Sequence, residues 1–133
     1  MGADVAIDTT TEYLVETVLD ATRGRGADVV IEAAGSPETI NAAIRMAAMG
    51  GTVVQIGILT EPNTQIDIHT AMGKELRLQT IKRSNHRAQE ALKLLGRIPH
   101  KLITHSLPLE QTPKAFEMLS AYTNGICKAV IEF

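Results

Sequence analysis

The stretch from Gly24 to Ile58 constrains this chain more than any other: GRGADVVIEAAGSPETINAAIRMAAMGGTVVQIGI. Val29–Ile31, near its start, is an unbroken apolar run. Thr52–Ile56, near its end, is a second apolar run. Between them, Ser36–Pro37 is a typical helix start, with serine as N-cap and proline at the first helical position, and Gly50–Gly51 is a typical stop. One apolar helix face is formed by residues three and four apart: Ile40, Ala43, Ile44 and Ala47. This order predicts a strand–helix–strand unit, and such apolar strands are typical of a parallel sheet covered by helices.

Patterns on either side of this unit predict further elements of an α/β fold. Asp4–Asp8 alternates between polar and apolar residues and predicts a strand, while Thr9 and Glu12 have the spacing of a capping box at a helix start. Gly24 is predicted to end that helix in the left-handed conformation. The later elements are a strand over Glu75–Ile81, a helix over His86–Leu95, an extended segment over Leu102–Leu107, a helix from Thr112 and a strand over Lys128–Phe133. We expect one domain over residues 1–133: a parallel sheet flanked by helices, with an extra C-terminal strand.

Composition excludes several classes of function. The chain is 44% hydrophobic, so it can bury a core, and its net charge is −2, so we expect no nucleic-acid partner. With aromatic residues at 3%, stacking platforms for bases are not expected either. The longest apolar runs are too short to span a membrane. The single Cys127 cannot form an internal disulfide, which favours a cytoplasmic location.

Several segments together resemble one known family. GRGADVVIEAAGSPET and MGGTVVQIG look like the later half of the dinucleotide-binding domain of zinc-type medium-chain alcohol and polyol dehydrogenases. KELRLQTIKRSN, ITHSLPLEQTPKAFEML and KAVIEF resemble the end of the sorbitol-dehydrogenase branch, in the family's order. The resemblance implies a truncated Rossmann-like sheet that lacks the zinc-binding catalytic domain and the G-x-G-x-x-G turn. It therefore implies a partial NAD(P)-binding domain that is not catalytic by itself.

The resemblance also implies where a cofactor would lie. Open α/β sheets bind ligands at the carboxyl ends of their strands. The positions that match residues lining the nicotinamide and its ribose are Ala33, Ala34, Gly35, Ile56, Gly57, Ile58, Thr80, Ile81, Lys82 and Arg83. Because the phosphate-binding turn has no counterpart here, we expect NAD or NADP to bind weakly or not at all. The alternative interpretation is that the small residues around Gly35 and Gly57 only make tight turns.

The sequence gives little support for a metal site or for a catalytic residue. The four histidines, His69, His86, His100 and His105, are scattered, and Cys127 has no CxxC partner, so we predict no zinc or other metal site. No serine lies in a G-x-S-x-G context, and no catalytic residue is assigned. Glu32 ends a strand beside Ala33, where the family also has a structural glutamate, and we assign it no catalytic role.

Two functions remain open. The first is an oxidoreductase relative that needs a complementary N-terminal chain for activity. The second is a non-catalytic α/β domain that self-associates and binds no cofactor. Ile66 and Ile68 alternate with polar residues and predict a short edge strand, which the resemblance implies is a dimer contact. The resemblance implies that Asp4–Asp8 matches the family's third strand and Val29–Ile31 its fourth. In the family the first two strands lie between these two, and both are missing here. Asp4–Asp8 must therefore either pair directly with Val29–Ile31 or borrow strands from another copy.

Overall fold

The computed structural model describes residues 3–9, 12–61, 63–82, 86–94 and 102–133. Contacts divide the chain into one unit up to His86 and a second from Arg87 onwards. The first unit contains α1 (Leu14–Ala21), β1 (Ala27–Glu32), α2 (Pro37–Met46), β2 (Ala47–Gln55), α3 (Ile68–Gly73) and β3 (Arg77–Thr80). The second contains α4 (Ala88–Leu94), β4 (Ile103–Pro108), α5 (Thr112–Ala121) and β5 (Lys128–Glu132), with single 3₁₀ turns at Leu109–Gln111 and Thr123–Gly125. The predicted α/β class is confirmed, whereas the single-domain organisation stays a prediction.

The described strands of the first unit form one parallel sheet in the order β1-β2-β3. The register pairs Val30 with Val53, and these side chains point to the face that α2 covers. Side chains alternate between faces along a strand. The opposite face therefore carries Val29, Ile31, Thr52 and Val54, and we call it the open face.

The core of the first unit lies between α2 and the sheet. Ile44 and Val53 are the largest side chains that are fully buried, and Ile40, Ala43 and Ala47 form one cluster with Val53. These are the helix residues whose spacing predicted an apolar face. On the open face, by contrast, Val29 is 58% exposed and Ile31 is 62% exposed. Parallel sheets are normally covered on both faces, whereas none of the described helices of this unit buries these two side chains.

Helix α2 begins as predicted but ends early. Ser36 accepts a hydrogen bond from the backbone N–H of Thr39, and the Thr39 hydroxyl oxygen accepts one from the backbone N–H of Ser36, which completes a capping box. The helix ends at Met46 rather than at Gly50, because Ala47 is already extended and pairs with Ala27 of β1. The Lys74 ammonium donates to three carbonyls at this end, those of Ile44, Arg45 and Ala47. Such a cation satisfies helix carbonyls that have no partner within the helix.

Three further local predictions are wrong. Asp4–Asp8 forms no strand and pairs with none of the described strands, β1 included, so alternation alone did not give it a hydrogen-bonding ladder. The capping box at Thr9 does not form, since α1 begins only after Tyr13 and Glu12 accepts a hydrogen bond from the Asp8 backbone instead. Gly24 does take the left-handed conformation expected of it, with φ +78°.

The third wrong prediction is the edge strand at Ile66 and Ile68. Asp67 caps α3 by accepting a hydrogen bond from the Thr70 backbone at 3.0 Å, so Ile68 begins a helix. The Asn41 side chain bonds the Gln65 carbonyl and the Asp67 N–H. The segment therefore lies against α2 instead of extending a sheet.

The second unit is built on the parallel pair β4–β5, with α5 between them in sequence. Among its described residues, the buried apolar ones are Leu107, Ala115, Met118 and Ile126. The predicted C-terminal strand is confirmed as β5. The predicted helix over His86–Leu95 is seen as α4, whereas Leu95 itself lies outside the described residues.

Candidate functional site at the strand ends

The carboxyl ends of β1, β2 and β3 meet at one edge of the sheet because the strands are parallel and adjacent. The Glu32 carbonyl accepts hydrogen bonds from the backbone of Ile56 at 2.9 Å and of Gly57 at 3.0 Å. The Gln55 carbonyl in turn accepts one from Ile81 at 2.9 Å. We call residues 33–35 the first loop and residues 56–58 the second loop. These bonds hold the second loop beside the end of β1.

Two glycines allow the loops to touch. A Cβ on Gly57 would lie 2.4 Å from the Gly35 nitrogen and 2.6 Å from a Glu32 carboxylate oxygen. Gly35 has φ +81°, a conformation that favours glycine, and its own Cβ would lie 2.4 Å from the Ile58 carbonyl oxygen. Both positions thus require glycine, which agrees with the interpretation of tight turns without excluding a ligand.

A buried carboxylate lies beneath this contact. Glu32 is 4% exposed, and its Oε1 accepts hydrogen bonds from the backbone of Ala34 at 2.8 Å and of Gly35 at 2.7 Å. The Thr39 hydroxyl donates to the same oxygen at 2.7 Å, and the Gln55 side-chain amide donates to Oε2. We call Glu32, Thr39 and Gln55 the Glu32 cluster. It ties together β1, α2, β2 and the first loop.

Burial and hydrogen bonding act on the Glu32 carboxyl in opposite directions. Burial raises its pKa, but the hydrogen bonds from Gly35, Thr39, Ala34 and Gln55 together lower the pKa below its ordinary value of 4.5. Glu32 is therefore an ionised acceptor at neutral pH. A general acid would need a raised pKa, so this carboxylate is suited to holding backbone and not to donating a proton.

The structure brings most of the predicted cofactor residues to this edge. Ala33 and Ala34 are exposed on the first loop, and Ile58 is 88% exposed on the second. Thr80 is the last residue of β3 and pairs with Gln55 at the end of β2, and Ile81 and Lys82 follow it; all three are exposed. Arg83 lies outside the described residues. Their role in binding a cofactor stays a prediction.

The sequence interpretation missed Thr39 and Gln55. Thr39 stands three residues after the Ser36 cap, at the position from which a side chain reaches back to the cap. Gln55 lies two residues after Val53, so it shares the helix-covered face of β2 despite being polar. A polar residue on an inward face needs a partner, and this was the signal available in the sequence.

Residues 3–9, 12–61, 63–82, 86–94 and 102–133 contain no group of three or more His, Cys, Asp or Glu side chains arranged to hold a metal ion. None of the helices in these ranges is long and apolar enough to cross a membrane.

Comparison with known proteins places these observations in a family. The family model described as zinc-binding dehydrogenase matches residues 1–97. The L-threonine 3-dehydrogenase of Symbiobacterium thermophilum is 34% identical over 94% of this chain, which covers 37% of that protein. The chain thus spans less than two fifths of the length of this relative.

Solved structures agree with the fold. The alcohol dehydrogenase TADH from Thermus sp. ATN1 superposes with a TM-score of 0.86 and 28% identity, over 99% of this chain and 39% of that one. A short chain alcohol dehydrogenase of Escherichia coli CFT073, solved with the cofactor NADH, has a TM-score of 0.82 and 25% identity over 99% of this chain and 39% of its own. The predicted resemblance to part of a Rossmann-type dehydrogenase is confirmed.

Proposed function

The chain belongs to the zinc-binding dehydrogenase family, and from this premise we propose that it forms one side of an NAD(P) site. The observation that carries the proposal is the contact between the first and second loops at the carboxyl edge of a parallel sheet, where such sheets bind nucleotides. Exposed Ala33 and Ala34 leave room for a flat ring, and the related E. coli structure holds NADH. When bound, the cofactor would supply hydride-transfer chemistry.

In this proposal the residues of this chain bind and orient the cofactor without reacting. The two loops would offer backbone groups and small side chains to the nicotinamide half, and Thr80, Ile81 and Lys82 would extend this surface beyond β3. We assign no metal ligand to the described residues. Since the chain has one cysteine, we also propose a reducing compartment such as the cytoplasm.

Titration with NAD(H) by calorimetry tests the cofactor proposal, with the mass of the same sample determined by light scattering. We expect saturable binding near or below the millimolar range, because half of a dinucleotide site retains part of the binding energy. A well-folded sample that shows no heat of binding at high millimolar NAD(H) would overturn the proposal. It would favour the second candidate, a self-associating domain without a cofactor.

The open face supports a proposal about the partner. It carries exposed Val29 and Ile31 on β1, the edge strand of the described sheet, and a parallel sheet exposed on one face is unusual. In the family β1 corresponds to the fourth strand of a doubly wound sheet, and the first strand lies directly beside the fourth. Because relatives are much longer than the matched region, we propose that a polypeptide equivalent to their preceding part pairs with the edge of β1 and covers this face.

Co-expression with the preceding part of the S. thermophilum L-threonine 3-dehydrogenase tests this partner. We expect a one-to-one complex, seen by light scattering, that is lost when both Val29 and Ile31 are replaced by lysine. Met72→Lys, an exposed change on α3, is the control and should leave the complex intact. Finding only homo-oligomers of this chain, whose mass the co-expressed polypeptide does not alter, would instead identify a second copy as the occupant.

A further inference from the structure

We propose that Glu32 is a positioning residue that holds the first loop against the second, with Gln55 as its matching partner. Its carboxylate binds the backbone of Ala34 and Gly35 in the first loop, while its carbonyl binds that of Ile56 and Gly57 in the second. One residue therefore fixes both loops. An effect of this positioning on cofactor affinity rests on the proposed function. The positioning of the two loops by Glu32 is independent of it.

Gln55 extends this connection to the second loop through its side chain. Its Nε2 donates to Glu32 Oε2 and also to the Gly57 carbonyl at 2.7 Å. Both partners are acceptors, which fixes the NH₂ end of the amide in this place. Gln55 Oε1 is buried and has no hydrogen-bond partner among the described residues. The orientation that lets the Gln55 NH₂ group donate to both Glu32 and Gly57 thus leaves the Gln55 side-chain oxygen buried without a partner among the described residues.

The arrangement requires an acceptor without a proton at position 32. Three donors converge on Oε1 and a fourth meets Oε2, so a protonated carboxyl would place a hydrogen against one of them. The groups that face the carboxylate are backbone amides of the first loop, a hydroxyl from α2 and a side-chain amide from β2, all of them uncharged. The loop contact should therefore persist at neutral pH and weaken only as pH falls through the lowered pKa of Glu32, below 4.5.

The substitution Gln55→Glu should reverse this dependence on pH. It sets a second carboxylate against Glu32, and two carboxylates at hydrogen-bond distance cannot both stay ionised without repulsion. At about pH 8 the loops should separate, whereas at about pH 5.5 one shared proton should restore the contact. Gln79→Glu is the matched control, because Gln79 is an exposed glutamine on the adjacent strand β3.

Hydrogen-exchange protection factors of the Ala34 and Gly35 amides, measured by NMR, are the readout. In Gln55→Glu we expect protection about tenfold lower at high pH than in the unsubstituted protein, recovering at low pH. The unsubstituted protein and Gln79→Glu should show no such change between the two conditions. Protection in Gln55→Glu that does not depend on pH, or an equal fall in Gln79→Glu, would overturn the proposal.

A second variant keeps the test decisive if Gln55→Glu does not fold at high pH. Glu32→Gln introduces no second carboxylate, but it sets the NH₂ group of the new glutamine against the NH₂ group of Gln55. The protection of the Ala34 and Gly35 amides should therefore fall equally at both pH values. Unchanged protection in Glu32→Gln would overturn the positioning role. Calorimetry with NAD(H) is run in parallel: absent binding in the unsubstituted protein rejects the proposed function alone, since the exchange measurement needs no cofactor.

Discussion

Replacing Gly57 by valine is expected to abolish NAD(H) binding and to lower the free energy of unfolding by about 3 kcal/mol. The new Cβ would lie 2.4 Å from the Gly35 nitrogen and 2.6 Å from a Glu32 carboxylate oxygen. Neither neighbour can withdraw, because Gly35 donates to Glu32 and Glu32 is buried under α2. The first loop must therefore move away from the second, and the surface proposed to bind the cofactor is lost with it.

Gly73→Val is the matched control for this prediction. Gly73 is the last residue of α3, and a Cβ there would meet nothing within 4 Å. Valine is a better helix former than glycine, so stability should be unchanged or slightly higher. Because the chain contains no tryptophan, urea unfolding is best followed by circular dichroism. Equal stability and equal NAD(H) affinity in Gly57→Val and the unsubstituted protein would show that the two loops are not in contact.

The second large effect is expected from Val53→Ala, which should lower the free energy of unfolding by about 2–3 kcal/mol. Val53 is 1% exposed and lies in the cluster with Ile40, Ala43 and Ala47. Removing its two methyl groups leaves a cavity between α2 and the sheet, which this closely packed helix cannot fill without moving.

Val29→Ala makes the same chemical change on the neighbouring strand but on the open face. Val29 is 58% exposed, so its loss should cost less than about 0.5 kcal/mol in the isolated chain. Urea unfolding of the two variants compares the faces directly, since both substitutions remove the same two methyl groups. A similar cost for both substitutions would contradict the open face and show that Val29 is already covered in solution.

The sequence determined the central unit of this protein. Apolar runs at Val29–Ile31 and Thr52–Ile56, with a serine cap between them, specified two strands and the helix that joins them. Local chemistry suffices here, because the N-cap bond at Ser36 and the left-handed turn at Gly24 each depend on a few neighbouring residues. The carboxyl edge of the sheet, with its candidate residues, followed from the parallel order of the strands.

Only the tertiary structure decided the features that depend on distant partners. Asp4–Asp8 has the alternation of a strand but no strand beside it, and Ile66 lies against α2 because Asn41 binds its neighbours. Ala47 continues the helical pattern, yet it leaves the helix to pair with β1.

The role of Glu32 likewise required the fold. In the sequence it is one acidic residue at the end of a strand, whereas in the structure donors from two loops, a helix and a second strand meet on it. Pairing and convergence of this kind are long-range, so a local pattern can permit them but cannot specify them.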